Sequence, residues 1–141
     1  RTTLKRIDPA SEFIRYSGAV PYTELHARYV RADAFLFASS CETFGQILTE
    51  AMSAGLPIAC SNRSAMPELL GDAGVYFDPE RPIEIASAIR KLFDSPELRF
   101  RLASESFKKV QEYSWERCAD ETFSFIAQVA GNKQIVDPLT K

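Results

Sequence analysis

Histidine and cysteine are scarce in this chain of 141 residues. His26 is the only histidine, and the cysteines, three in number, are widely spaced at Cys41, Cys60 and Cys118. One histidine and no Cys-x-x-Cys pair argue against a protein-built zinc site and against a Ser-His-Asp or Cys-His catalytic centre. An odd number of distant cysteines favours reduced thiols over a disulfide framework. We therefore expect no metal site and a cytoplasmic location.

Long apolar runs and blocks of like charge are also missing. No stretch approaches the roughly 18 apolar residues that a membrane-spanning helix needs, and residues 1–13 lack the apolar centre of a signal peptide. Lysine plus arginine total 17 against 19 aspartate plus glutamate, which gives a net charge of -2. Neither sign forms a block, so the composition argues against nonspecific binding to nucleic acid or anionic lipid.

The overall composition is that of a globular domain. Hydrophobic residues make up 45% and charged residues 26% of the chain, close to the average of soluble proteins. Short apolar runs alternate with stretches of helical periodicity, which is typical of βα units and a mostly parallel sheet. The pattern predicts strands at residues 13–17, 34–38, 57–60 and 74–77, and helices at about 23–31, 45–54 and 67–70, with Gly55 as the C-terminal cap of the second helix.

The second half of the chain is predicted to be helical. Apolar residues recur at three- and four-residue steps between residues 81 and 93. Residues 95–97 read Ser-Pro-Glu, an N-cap followed by a first-turn proline and an acid, so a new helix is expected there. A last helix is expected from Ser114, with an apolar stripe along one face. Without a cover this stripe predicts self-association of the chain.

The candidate site lies in residues 39–57, where a predicted strand, a loop and a helix follow one another. In open parallel sheets, ligands bind at the carboxyl ends of the strands, and a helix N-terminus there offers amide groups to a phosphate. Gly45 lets a ligand approach the backbone. On a helical projection Glu50 stands beside Gln46, about 40° beyond an apolar arc formed by Ile47, Leu48, Ala51, Met52 and Ala54.

A second carboxylate, Glu42, precedes Glu50 by eight residues. Because it lies in the loop, we expect it to fold over the helix N-terminus and to face Glu50 across a small cavity. Ionised carboxylates only accept hydrogen bonds, so such a pair suits the vicinal hydroxyls of a ribose or hexose, and a nucleotide sugar fits that chemistry. The alternative, from spacing alone, is an acid near a positive helix end and a solvated helix residue.

Several short motifs follow one another along the chain: AFLFASS, the E-x7-E motif from Glu42 to Glu50, EAMSAGLPI, SAMPELLGDAG, DSPELR and YSWER. With these motifs the chain resembles, over about residues 13–129, the nucleotide-binding half of the family 4 glycosyltransferases, which have the GT-B fold. The resemblance implies an α/β fold with a Rossmann-like parallel sheet flanked by helices. The chain would form a partial C-terminal domain over residues 1–130, followed by a loosely ordered tail at 131–141.

The resemblance also implies roles for single residues. The second glutamate of the motif, Glu50, would bind the ribose hydroxyls of the donor, and the first, Glu42, would lie beside the transferred sugar as the catalytic carboxylate. Further contacts to the hydroxyls and diphosphate of the donor are implied for the backbone of Phe44, Gly45, Gln46 and Ile47, and contacts near its base for the loop with Val20.

The implied function is donor binding in a retaining glycosyltransferase, which moves a hexose from a nucleoside diphosphate sugar to a glycan, lipid or small-molecule acceptor without a bound metal or cofactor. The family's upstream strand with a basic pair, and its N-terminal acceptor-binding domain, are not found before residue 13. We therefore expect the chain to be inactive alone and the acceptor domain to be its partner. The alternative is a non-catalytic nucleotide-binding or regulatory α/β module.

Overall fold

The computed structural model describes residues 2–131, and its central feature is a parallel sheet. The strands are β1 (Phe35–Phe37), β2 (Ile58–Ser61) and β3 (Gly74–Phe77), which lie side by side in that order. They confirm the strands predicted at 34–38, 57–60 and 74–77 to within one residue or so at either end.

β2 is the central strand, and all of its residues are buried. Ile58 lies between Phe35 of β1 and Gly74 of β3, with both neighbours parallel to it. A parallel strand that is covered by helices carries apolar residues at consecutive positions instead of alternate ones. The run Ile-Ala-Cys in this strand meets that requirement, which is why its position was readable from the sequence.

Helices follow the strands in the same part of the described chain: α3 (Gln46–Ser53), α4 (Met66–Leu70), α5 (Pro82–Asp94), α6 (Pro96–Val110) and α7 (Trp115–Gly131). α3 and α4 connect successive strands, as parallel pairing requires. α5 packs against β2, β3 and α6, and α6 packs against α3. The resulting core is a cluster of buried side chains from the sheet, α5 and α6, formed by Ala59, Phe77, Ala88, Leu92 and Leu102.

The helix ends follow signals in the sequence. Ser95 caps α6, since its Oγ accepts a hydrogen bond from the amide of Leu98 at 3.2 Å. After α3, Gly55 takes a positive φ of 67°, and its amide donates to the carbonyl of Met52 at 3.0 Å. This left-handed ending favours glycine because a side chain would be strained there. Both ends were predicted from the sequence.

Contacts divide the chain into two units, one ending at Ala32 and the other beginning at Asp33. The first unit contains α1 (Thr2–Ile7) and α2 (Tyr22–Val30), and the second contains the sheet and the helices from α3 onward. α2 confirms the helix predicted at about 23–31, whereas the sequence analysis does not predict α1. The single partial domain at 1–130 stays a prediction.

The strand predicted at residues 13–17 is wrong, because the chain there forms no strand. The amides of Phe13 and Ile14 donate to Oδ2 of Asp8 at 3.0 and 2.7 Å, and the amide of Glu12 donates to Oδ1 at 3.0 Å. Burial by itself would raise the pKa of Asp8, but these backbone hydrogen bonds outweigh it and lower the pKa. Two amides of the predicted strand, those of Phe13 and Ile14, are thus bonded to a side chain instead of to a neighbouring strand.

α7 is exposed along its whole length, and none of its residues is buried. The predicted apolar stripe is present, with Trp115 79% and Phe123 70% exposed. Self-association through this stripe stays a prediction. The tail predicted at 131–141 lies outside the described residues except for Gly131, which ends α7. Within residues 2–131, no helix combines the length and the apolar character that crossing a membrane requires.

Candidate functional site

The three strands are parallel, so their carboxyl ends share one edge of the sheet, and the chain becomes polar at that edge. β1 is followed by Ser39 and Ser40, β2 by Asn62, Arg63 and Ser64, and β3 by Asp78. The hydroxyl of Ser64 lies 3.5 Å from the carbonyl oxygen of Ser40, so the loop after β2 contacts the loop after β1. This is the edge at which ligands bind in open α/β sheets.

Glu42 lies in the loop between β1 and α3 and is held by a neighbour in the same loop. The hydroxyl of Ser39 donates to Oε1 of Glu42 at 2.8 Å, and the Glu42 side chain is half-buried. A carboxylate that accepts a hydrogen bond from a fixed hydroxyl is restricted in its rotamers. The structure therefore places the predicted catalytic carboxylate in a defined position before the helix begins.

Gly45 is the N-cap of α3 and has a left-handed backbone, with φ of 86° and ψ of 50°. A Cβ at this position would meet Leu69 at 3.5 Å and Leu48 at 3.8 Å, which are ordinary contacts, so the backbone angle and not the lack of space demands glycine. Its carbonyl accepts the amide of Leu48 at 2.8 Å. Because Gly45 has no side chain, no side-chain hydrogen bond caps the first amides of α3.

The amides that open α3 belong to Gln46 and Ile47. An α-helix leaves its first amides without a carbonyl partner inside the helix, and the helix dipole makes this end positive. Here they follow a buried glycine at the carboxyl edge of the sheet, and a helix N-terminus at such an edge is a common place for an anionic ligand. The predicted site residues thus lie in the loop before α3 and in its first turn, namely Glu42, Phe44, Gly45, Gln46 and Ile47.

Glu50 stands one turn further along α3 and is half-buried. The same helix buries Leu48, Ala51 and Met52, so Glu50 lies at the margin of the buried face, as the helical projection predicts. Ile47 departs from that projection, because it is 49% exposed. It stands in the first turn, where the helix emerges from the sheet edge, and a projection takes no account of where the covering elements lie. That Glu42 and Glu50 flank one cavity stays a prediction.

The carboxylate of Asp78, just after β3, is paired with positive charge and with a backbone amide. The amide of Glu80 donates to Asp78 at 3.1 Å, and Arg63 pairs with the same carboxylate at 3.1 Å. Arg81 adds a longer contact of 3.7 Å. The hydrogen bond from the Glu80 amide and the pair with Arg63 outweigh partial burial and lower the pKa of Asp78. Asp78 therefore carries a negative charge that two arginines neutralise.

Val20, the predicted contact to the base, belongs to the first unit. It is half-buried and lies between Gly18, whose φ is 68°, and Pro21, the N-cap of α2. The remaining predicted site residues belong to the second unit. The role of Val20 stays a prediction.

Two partners of the site were not identified as such from the sequence. Ser39 belongs to the AFLFASS segment, but its bond to Glu42 was not predicted. Tyr113, in the YSWER segment, packs edge-on against Phe44, and nothing local in the sequence signals a contact between positions so far apart. Within residues 2–131, no group of three or more histidine, cysteine, aspartate or glutamate side chains is placed to hold a metal ion.

Comparison with known proteins gives one family for most of the chain. Residues 9–109 match the family described as glycosyl transferases group 1. The chain is 35% identical over 112 residues to O-antigen chain mannosyltransferase B of Escherichia coli, a match that covers 79% of this chain and 29% of that protein. The chain thus spans about three tenths of the length of this curated relative.

Two solved structures share the fold. Sucrose-phosphate synthase from Thermosynechococcus elongatus superposes with a TM-score of 0.81 at 21% identity, covering 92% of this chain and 33% of that one. The C-terminal domain of a glycosyl transferase group 1 family protein from Francisella tularensis gives 0.67 at 23% identity, covering 79% and 58%. They confirm the expected α/β fold, a Rossmann-like parallel sheet flanked by helices as in GT-B glycosyltransferases.

Proposed function

Because this chain belongs to the glycosyl transferases group 1 family, we propose that it is the donor-binding part of a retaining GT-B glycosyltransferase of family 4. The enzyme transfers a hexose from a nucleoside diphosphate sugar to a hydroxyl of a glycan, lipid or small-molecule acceptor. One observation carries the proposal. The N-terminus of α3, opened by the left-handed Gly45 at the carboxyl edge of the sheet, stands between the loop of Glu42 and the helix position of Glu50.

In this proposal each group of the site has a separate task. The amides of Gln46 and Ile47 donate to the diphosphate, which the positive end of α3 attracts. The Glu50 carboxylate accepts hydrogen bonds from the ribose hydroxyls. The other donor contacts come from the backbone of Phe44 and Gly45, toward the hydroxyls of the sugar.

The reaction breaks the bond between the anomeric carbon and the diphosphate oxygen. The same carbon forms a bond to the acceptor oxygen, whose proton passes to the departing diphosphate. Negative charge grows on the diphosphate and is stabilised by the helix amides, while positive charge grows on the sugar ring and is stabilised by the carboxylate of Glu42. We propose that the product keeps the anomeric configuration of the donor and that no protein-bound cofactor takes part.

The acceptor is bound, in this proposal, by an N-terminal domain of the same enzyme, and the chain alone does not transfer sugar. The match to the mannosyltransferase supports this, since the chain corresponds to 29% of that protein. The chain would form part of the C-terminal domain. A cytoplasmic location is part of the proposal and is supported by the three free cysteines, Cys41, Cys60 and Cys118.

Donor binding is tested by titrating the 15N-labelled chain with UDP-glucose and GDP-mannose. We expect shifts at the amides of Gln46 and Ile47 and a Kd in the millimolar range. No strand with a basic pair is present among residues 2–32, and losing one or two charge-assisted contacts weakens a micromolar site by about two to three decades. Glu50→Gln should weaken binding further, whereas Glu116→Gln, on the exposed α7, should not.

Shifts of equal size in Glu50→Gln and the unmodified chain would contradict the site, and the absence of binding to both nucleotide sugars would contradict the proposal. Transfer is tested in the full-length protein by nucleoside diphosphate release with acceptor present, and retention by NMR of the product's anomeric proton. A full-length protein that binds donor but never releases nucleoside diphosphate would favour the non-catalytic module.

A further inference from the structure

Phe44, the residue before the N-cap glycine of α3, packs against an aromatic ring from a distant part of the chain. Its ring centroid lies 6.2 Å from that of Tyr113, and the two ring planes meet at 81°. This edge-to-face arrangement is a preferred geometry of aromatic pairs. Phe44 is 48% and Tyr113 39% exposed, so the pair lies at the surface beside the site and is not part of the core.

Tyr113 is itself held by the turn between α6 and α7. Its amide donates to the carbonyl of Val110 at 3.0 Å, and Val110 is buried. Arg117, in the first turn of α7, donates from its guanidinium to the carbonyl of Glu112 at 3.1 Å, and the Arg117 amide donates to Oγ of Ser114 at 3.1 Å. The backbone that carries the ring is therefore braced before and after Tyr113.

The two helices behind this pair are joined in the core. α6 packs along α3, and the buried hydroxyl of Ser106 on α6 lies 3.4 Å from the carbonyl oxygen of Leu56, just after α3. The aromatic contact adds an attachment at the start of α3, where the chain leaves the loop of Glu42. α6 thus supports the body of α3, and the turn after α6 contacts the segment that opens α3.

We infer that Tyr113 is a positioning residue for the donor site: its ring holds Phe44, and Phe44 sets the path of the backbone that presents Gly45 and the amides of Gln46 and Ile47. The inference rests on the proposed function, in which those groups bind the donor. Tyr113 does not touch the donor in this account. Its effect passes through Phe44 alone, so the two rings act as one unit.

The test measures the Kd of the whole chain for UDP-glucose and GDP-mannose by NMR titration. Tyr113→Leu removes the ring and should raise the Kd about three- to tenfold. Tyr113→Phe keeps the ring, and its Kd should stay within about twofold of that of the unmodified chain, since the contact is made by the ring. Phe100→Leu serves as the control, because Phe100 is 78% exposed on α6 and away from this pair.

A double variant separates positioning from a general loss of structure. Phe44→Leu should raise the Kd as Tyr113→Leu does, and adding Tyr113→Leu to Phe44→Leu should have no further effect. Urea unfolding of each variant gives a measure of stability that is independent of the donor. We expect the Kd to rise for both single variants while the midpoint of unfolding stays close to that of Phe100→Leu.

The outcomes separate this inference from the proposed function. If the unmodified chain binds neither nucleotide sugar, both are wrong. If it binds and Tyr113→Leu binds equally well, only the role of Tyr113 is wrong. Additive losses in the double variant, or a Tyr113→Leu chain that no longer folds, would also overturn the role, because Tyr113 would then act independently of Phe44 or as part of the fold.

Discussion

The hydroxyl of Ser39 donates to Oε1 of Glu42 at 2.8 Å, within the loop that leads from β1 to α3. A glutamate side chain has three rotatable bonds, so a carboxylate in a loop samples many positions unless something holds it. Ser39 is the second residue after β1 and is itself half-buried. The strand thereby fixes the hydroxyl, and the hydroxyl fixes the carboxylate that the proposed reaction needs beside the sugar.

Removing this hydroxyl should slow transfer more than it weakens donor binding. In the full-length transferase, Ser39→Ala should lower kcat about tenfold or more, the effect of losing one hydrogen bond to a charged group. The KM for the donor should change less than twofold. Ser39→Thr keeps the hydroxyl and should retain most of the activity. Equal kcat values for Ser39→Ala and the unmodified enzyme would show that the hydrogen bond plays no part in the reaction.

The two glutamates of the motif should respond differently to the loss of their charge. Glu50 lies on a rigid helix and is proposed to bind the ribose in the ground state, so Glu50→Gln should chiefly raise the donor KM. Glu42 is proposed to act on charge that develops in the transition state, so Glu42→Gln should chiefly lower kcat. A loss of about 2 kcal/mol in the free energy of donor binding or of transition-state stabilisation changes KM or kcat roughly thirtyfold. Steady-state kinetics of the full-length enzyme measure both parameters. Unchanged kinetics in both variants would show that neither glutamate takes part in donor binding or transfer.

Acid should destabilise the chain through Asp78. The amide of Glu80 and the guanidinium of Arg63 lower the pKa of this carboxyl in the folded state. A group with a lowered folded pKa contributes stability above its unfolded pKa, and this stability is lost as the pH falls below about 4 and through the folded pKa. The difference in urea midpoint between the unmodified chain and Asp78→Asn should therefore shrink from pH 6 to pH 3.

The cysteines should differ in reactivity because their burial differs. Cys41 and Cys118 are exposed, whereas Cys60 is buried in the central strand. Burial raises the pKa of the Cys60 thiol to about 12, so at pH 8 it carries almost no thiolate, the form that reacts. Iodoacetamide should modify two thiols of the folded chain quickly and the third only in urea. Rapid modification of Cys60 in the folded chain, detected by peptide mass spectrometry, would contradict the position of β2.

Features with a local cause could be predicted from the sequence. The buried run at Ile58, the cap at Ser95 and the left-handed turn at Gly55 each follow from a few neighbouring residues. The prediction of a strand at 13–17 was wrong: its first two amides, those of Phe13 and Ile14, bond to Asp8 instead of to a neighbouring strand. An apolar run shows what a segment prefers to bury, but not whether a partner strand exists.

For the candidate site, the sequence locates the segment but not its supports. Glu42, Gly45 and Glu50 were selected from a motif and its resemblance to a family, and the structure places them in a loop, an N-cap and a helix. The bond from Ser39 depends on the path of the loop. The contact of Tyr113 with Phe44 depends on the packing of α6 along α3, which no local pattern in the sequence encodes.

Gly45 and Gly55 form a matched pair for the last prediction. Both have a positive φ, 86° and 67°, and neither has a neighbour close enough to exclude a Cβ. Alanine at either position should therefore cost a similar backbone strain, about 1–2 kcal/mol of the free energy of unfolding. Urea unfolding of Gly45→Ala and Gly55→Ala measures this loss.

Only one of the two glycines lies in the site. Gly45 is the N-cap of α3, so relaxing its backbone turns the amides of Gln46 and Ile47 away from their present direction. Gly55 ends the same helix at the opposite end from those amides. Gly45→Ala should therefore weaken binding of UDP-glucose or GDP-mannose about tenfold or more, since two amide contacts to the diphosphate are disturbed. Gly55→Ala should bind as the unmodified chain does, despite a similar loss of stability. Equal affinities in the two variants would mean that the N-terminus of α3 is not where the donor phosphates bind.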